Sequence, residues 1–253
     1  MKLGPLRIAA STVFVLTVVS YIHEIISRVP VYVSLHNQRP FYVAESIDKV
    51  LGAAVCCFVV SFLYRTGLRG AIRQLGLSAP LLPAIVFALI ASLPMLIGFA
   101  VTRSLTPHIQ LIPLLFLTVL SPLVEEIEFR GFGVIQLQRG TGWSFWVVVW
   151  PSALLFGYVH VEQGQSLQEM IELFLLLVAG GLTFAWLAYR WQNLWVAVAL
   201  HICMNLWWEV FSVAKSAMGG WFPFMLQNLT MLLAILITLF WRPAKVDSTS
   251  SFV

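Results

Sequence analysis

Ionisable groups are scarce in this chain, and those inside its apolar stretches gather in three short segments. The first reads Ser121-Pro122-Leu123-Val124-Glu125-Glu126-Ile127-Glu128-Phe129-Arg130-Gly131. Glu126 and Arg130 stand four apart with the acid first, the favourable order for an ion pair on one helix face. Glu125 points about 100° away from that face, toward another helix, and Pro122 predicts a kink just before the acids. The second segment, Phe156-Gly157-Tyr158-Val159-His160, puts Phe156 and His160 on one face. The third, His201-Ile202-Cys203-Met204-Asn205, sets two polar groups one turn apart, and Glu209 extends that face by another turn. Each has a bland explanation: a solvated helix end, an interfacial histidine, an interhelical hydrogen bond. Together Glu125, His160, His201 and Asn205 are the types that activate water and hold an oxyanion, or that ligate a divalent metal.

The elements that must position them are apolar helices. Of 253 residues, 60% are hydrophobic and only 10% charged, with a mean hydropathy of +0.89. A soluble domain carries about 25% charged residues, so a water-soluble globule is excluded. Runs of roughly 20 apolar residues cross a bilayer as helices, and such runs fall at 8–27, 47–65, 80–102, 109–137, 143–161, 168–189, 194–213 and 221–241. The expected fold is an all-α, polytopic transmembrane bundle of about eight helices. N-terminal helices occupy 1–104, a core carrying the polar segments 105–213, and a last helix 214–241, with 242–253 a disordered tail. Lys2 and Arg7 precede the first run as in a signal peptide, but Tyr21-Ile22-His23-Glu24 follows it with no small-x-small cleavage pattern, so a retained helix is expected.

With an inside N-terminus, the inner loops hold ten Lys and Arg, among them Arg65, Arg69, Arg73, Arg130, Arg139 and Arg190. The outer loops hold five, Arg28, Arg39, Lys49, Arg103 and Lys215, so both termini are expected on the cytoplasmic side. Trp143, Trp191, Trp195, Trp221 and Trp241 stand at span ends, as interfacial aromatics do. The basic pI of about 9.2 suits a lipid surface, and nothing points to nucleic acid. Cys56, Cys57 and Cys203 lie within spans without metal-like spacing.

In these residues the chain resembles the CPBP intramembrane proteases, the CAAX-processing and bacteriocin-processing (Abi) family. The family's Glu-Glu-x-x-x-Arg is matched by Glu125, Glu126 and Arg130, its Phe-x-x-x-His by Phe156 and His160, and its His-x-x-x-Asn by His201 and Asn205, over roughly 105–210. The resemblance implies an intramembrane endopeptidase acting on a membrane-anchored or lipidated protein or peptide in the lipid bilayer, with a prokaryotic inner membrane as the expected setting. It makes Glu125 the general base, His160 its assistant, and His201 and Asn205 the oxyanion holders. Glu126 with Arg130 becomes a supporting pair, and Phe156 a wall of the cavity. A Glu-His-His set invites zinc, yet the His-Glu-x-x-His helix of metalloproteases is missing, so the expectation is metal-free with a divalent metal open. A non-catalytic immunity or scaffold protein on the same fold is the alternative. A transporter fits less well, because the polar groups cluster instead of lining a path. One tension stands: at 1.5 Å per residue, His160 falls roughly 25 Å along its expected span and His201 roughly 10 Å along its own.

Overall fold

The computed structural model describes residues 4–37, 40–214 and 219–241. The expected tail 242–253 lies outside them, as do Lys2, Arg39, Lys215, Arg242 and Lys245 of the charge count. Among the described residues there are helices and no strands, and the chain is an all-helical, multi-pass membrane protein.

The first apolar helix, α1 (Pro5–Ser20), stops earlier than expected, where Tyr21 leaves helical geometry at φ −115°. Two short helices, α2 (Ile22–Ile26) and α3 (Pro30–Asn37), lead to α4 (Phe41–Tyr64). That helix starts six residues before the apolar run does, so Lys49 is not an outer-loop charge but lies two turns inside it. After α5 (Leu68–Gln74) come α6 (Leu81–Ala91) and α7 (Leu93–Thr102), bent by 45° at Ser92. The remaining helices are α8 (111–141), α9 (Phe145–Tyr158), α10 (Leu167–Trp191), α11 (Leu194–Val210) and α12 (Trp221–Phe240). By length and composition, four helices among the described residues can cross a membrane, or five if the bent pair is one span; α1 and α11 are shorter and apolar.

The centre of the bundle is α8, which packs against α1, α4, α5, α9, α10 and α11. From Val124 to Leu137 every residue but Ile127 is buried, so its polar groups face neighbouring helices on all sides. The expected kink at Pro122 takes another form: π turns occupy Phe116–Leu120 and Glu126–Gln136 on either side of a short α stretch. Such i→i+5 turns are frequent at functional sites. Gly131 and Gly133 bring neighbours close, since a side chain there would meet Leu194 Cδ2 at 3.0 Å and Ser152 Oγ at 2.8 Å.

The helices that bring in the histidines have well-defined ends. Asn193 opens α11: its Oδ1 accepts from the Trp195 amide at 2.9 Å while its Nδ2 donates to the Pro80 carbonyl at 2.9 Å. This N-cap satisfies a backbone donor and ties the helix to the start of α6, fixing how far along α11 His201 sits. The segment of α9 is held to α8 by Ser152 Oγ, which donates to the Phe129 carbonyl at 2.5 Å.

Candidate active site

Glu125 is the first polar group of the central helix, and its partner comes from α4. Lys49 Nζ donates to Glu125 Oε1 at 3.0 Å, and Ser121 Oγ donates to the same oxygen at 2.6 Å. Oε2 carries neither bond. The carboxylate is thus clamped by one oxygen, with the other left to act. Glu125 also interacts electrostatically with both His160 and His201, so the two histidines share its neighbourhood despite their different positions along their helices. The helix starts leave the expected offset nearly unchanged, since α9 begins at Phe145, two residues later than expected, and α11 at Leu194, as expected.

His160 sits just beyond the last turn of α9, where helix carbonyls lack partners. Its Nδ1–H donates to the Phe156 carbonyl at 2.7 Å, which caps the helix end and fixes the ring tautomer. Nε2 is then the nitrogen with a lone pair. The Phe156 ring lies 4.6 Å from the imidazole, 5.0 Å from Phe129 and 4.2 Å from the Arg130 guanidinium. It therefore does more than form a wall: it lies between the His160 ring and the buried Arg130 cation.

Glu126 is fully buried, and its Oε1 faces two partners: Arg130 Nη1 at 3.2 Å and His201 Nδ1 at 2.9 Å. The Arg130 contact is ionic, since Nη1 has no acceptor at a hydrogen-bonding angle, and Oε2 of Glu126 has no donor. The pair expected from the i,i+4 spacing is present, and it gains a third member: Glu126 accepts from His201 and thereby orients it. Arg130 is sandwiched between Phe156 and, at 5.6 Å, Phe184 of α10.

Asn205 has a structural task that follows from Pro122. In the π turn before the proline, the Ser121 amide bonds back to the Phe116 carbonyl. The next carbonyl in that ladder, Leu117, would need the amide hydrogen that Pro122 lacks. Asn205 Nδ2 supplies one from α11, at 3.0 Å. In membranes a proline's orphaned carbonyl is satisfied from a neighbouring helix, and the second Nδ2 hydrogen remains for other use.

Glu128 is buried as well, against α4. Its carboxylate presses on the backbone at Gly52, where a methyl group would meet Oε1 at 2.1 Å. With Lys49 and Arg130 this makes two cations among three acids within the packed centre of the bundle.

Glu125, His160 and His201 thus share one neighbourhood with Lys49 and Ser121, Glu126, Arg130 and Phe156 adjoin it, and Asn205 is placed by its bond to the Leu117 carbonyl. A metal fits this arrangement poorly. Among the described residues, the one set of three His, Cys, Asp or Glu ligand atoms lying within 4.8 Å of one another is His23, Glu45 and Asp48, and Glu125, His160 and His201 do not form such a set.

The class defined so far is an all-helical, multi-pass membrane protein with buried acids, half-buried histidines and a half-buried lysine around one central distorted helix. Residues 107–207 match the family model described as type II CAAX prenyl endopeptidase Rce1-like. The chain is also similar to the Bacillus subtilis (strain 168) protein named "Putative membrane peptidase YdiL", 31% identical over 106 residues, or 41% of this chain. That match spans 39% of the relative's length. No solved structure matches. The resemblance to the CPBP family carried by the three motifs is thereby shown over the segment that holds them.

Proposed function

We propose that the protein is a metal-free intramembrane endopeptidase that hydrolyses a peptide bond in a membrane-anchored or lipidated protein. The observation that carries this reading is the state of Glu125: one oxygen is clamped by Lys49 and Ser121, the other is unbonded, and two histidines lie within electrostatic reach. Oε2 takes a proton from water as the water attacks the scissile carbonyl. His160, with Nδ1 committed to Phe156, offers Nε2 to accept from and orient that water, and the proton held on Oε2 goes to the leaving amine as the C–N bond breaks. His201 holds the oxyanion when Nε2 also carries a proton, with Glu126 as the countercharge on Nδ1, and the spare Asn205 hydrogen is the second donor. Glu126 and Arg130 fix the helix that presents all of them.

The class of substrate follows from the family that residues 107–207 match. Moving Lys49 and the buried Arg130 out of the loop count leaves four outer Lys and Arg against nine inner ones, which supports cytoplasmic termini in a prokaryotic inner membrane.

The test is cleavage of C-terminally membrane-anchored peptides, prenylated and unprenylated, by purified protein in liposomes, with and without chelator. Cleavage that Glu125→Gln and His160→Ala abolish and chelator spares is the expected result. Loss on chelation with recovery on zinc would overturn the metal-free mechanism, and full activity in both variants would overturn the site.

A further inference from the structure

Lys49 is outside the segment that matches the family model, and no motif singles it out. It nevertheless supplies the single cation bonded to Glu125 among the described residues. Its surroundings show why a lysine there matters. Glu125 is 9% exposed, Glu128 is 6% exposed, and both interact electrostatically with the Lys49 ammonium. Arg130, which is fully buried, is occupied by Glu126. Without Lys49, three acids would share one guanidinium in a medium where an unpaired ion costs several kcal/mol. A carboxylate in that position takes up a proton and ceases to be a base.

The geometry of α4 is suited to delivering this charge. Three residues after Lys49, Gly52 lets α4 approach the central helix closely enough for Glu128 to touch its backbone. One residue before it, Asp48 is anchored by His23 Nδ1 at 2.7 Å and by the Tyr32 hydroxyl. The turn of α4 that carries Lys49 is therefore held by packing on one side and by a hydrogen-bonded neighbour on the other.

We propose that Lys49 is a positioning residue of the reaction: it keeps Glu125 ionised and holds Oε1 still, so that Oε2 is the oxygen that accepts the proton. The proposal rests on Glu125 being the general base. Lys49 itself does not touch the substrate or the attacking water.

The experiment measures Lys49→Met, Lys49→Arg and Glu125→Gln in liposomes, by steady-state cleavage and by infrared spectra of the substrate-free protein. Lys49→Met should lower kcat about 10²-fold or more while KM changes less than about threefold, and Lys49→Arg should recover most of the loss. In the infrared, Lys49→Met should gain a protonated carboxyl band that the Lys49→Met/Glu125→Gln double variant lacks. Should Lys49→Met not fold, Lys49→Gln is measured in the same way. An unchanged kcat with Glu125 still ionised overturns the proposal, as does a loss that Lys49→Arg fails to reduce at all. If Glu125→Gln cleaves as well as the wild type, the reading of Glu125 as base fails instead. The infrared band then decides separately whether Lys49 sets the charge of Glu125.

Discussion

Glu125 and Glu126 are neighbours in sequence, both buried, both on the central helix, and they are compensated in opposite ways. Glu126 finds its cation four residues along its own helix and its hydrogen-bond donor on α11. Both partners lie within the segment that matches the family model. Glu125 finds its cation on α4, 76 residues earlier in the chain. The α11 side is thus a closed structural knot, with Arg130 held between aromatic rings. The α4 side is a clamp with one carboxylate oxygen unbonded. The difference teaches that adjacent acids need not share a job: the locally paired one ties helices together, and the remotely paired one is, in the proposed function, the base.

That contrast breaks most sharply at Glu125 itself. Glu125→Gln keeps the shape and removes the base, so cleavage should fall about 10³-fold or more, with little change in the unfolding midpoint in detergent because Lys49 is partly exposed. Glu126→Gln should do the reverse in kind. It leaves Arg130 buried and unpaired, and breaking such a pair costs about 3–5 kcal/mol, read as a lowered unfolding midpoint and poor recovery of folded protein. If Glu126→Gln were instead stable and merely slow, the assignment of a structural role to that side would be wrong. Asn205→Leu tests the link between the helices: the Leu117 carbonyl loses its donor, a loss of about 1–3 kcal/mol, and Pro122→Ala in the same chain should restore part of it. Gly52→Ala drives a methyl group into Glu128, and overpacking of this kind costs about 1–3 kcal/mol with the effect confined to the α4 side.

The smallest effect lies at the edge of the clamp, in the loop between α1 and α4. The hydrogen bond from Asp48 raises the His23 imidazole above its ordinary value of 6.5, against a smaller opposing effect of burial. A raised value in the folded state means the stabilisation is complete below pH 6.5 and disappears as pH climbs through the raised value. His23 is nearly half exposed, so the expected signature is a slight fall in unfolding midpoint from pH 6 to pH 8 that His23→Gln flattens. A midpoint rising over that range would contradict the pairing.

The α11 side was legible in the sequence and the α4 side was not, for a physical reason. Glu126–Arg130 and His201–Asn205 are local spacings on single helices, and helical periodicity exposes them directly. The apolar runs likewise located the helices, because the bilayer demands their length. Lys49 was invisible because charge at the end of an apolar run reads as loop. The helix in fact begins at Phe41, extended by Tyr42, Glu45, Ser46 and Asp48, which interrupt the apolar pattern without breaking the backbone. Pro122 announced a distortion but not its form. The π turns and the donation from Asn205 depend on what α11 places beside the orphaned carbonyl, which only packing decides.

Those π turns have a consequence for how the chain tolerates change in length. An i→i+5 turn holds one more residue than an i→i+4 turn, while Leu137–Thr141 at the far end is tied to α1. Remove one residue between 126 and 136, and a π turn can tighten into an ordinary α turn while the helix on either side keeps its direction. The same deletion in a regular α-helix turns everything upstream by about 100° and would swing Glu125 off the face that meets Lys49. The wide turns thus hold slack: a one-codon deletion inside 126–136 should leave the aim of Glu125 nearly intact.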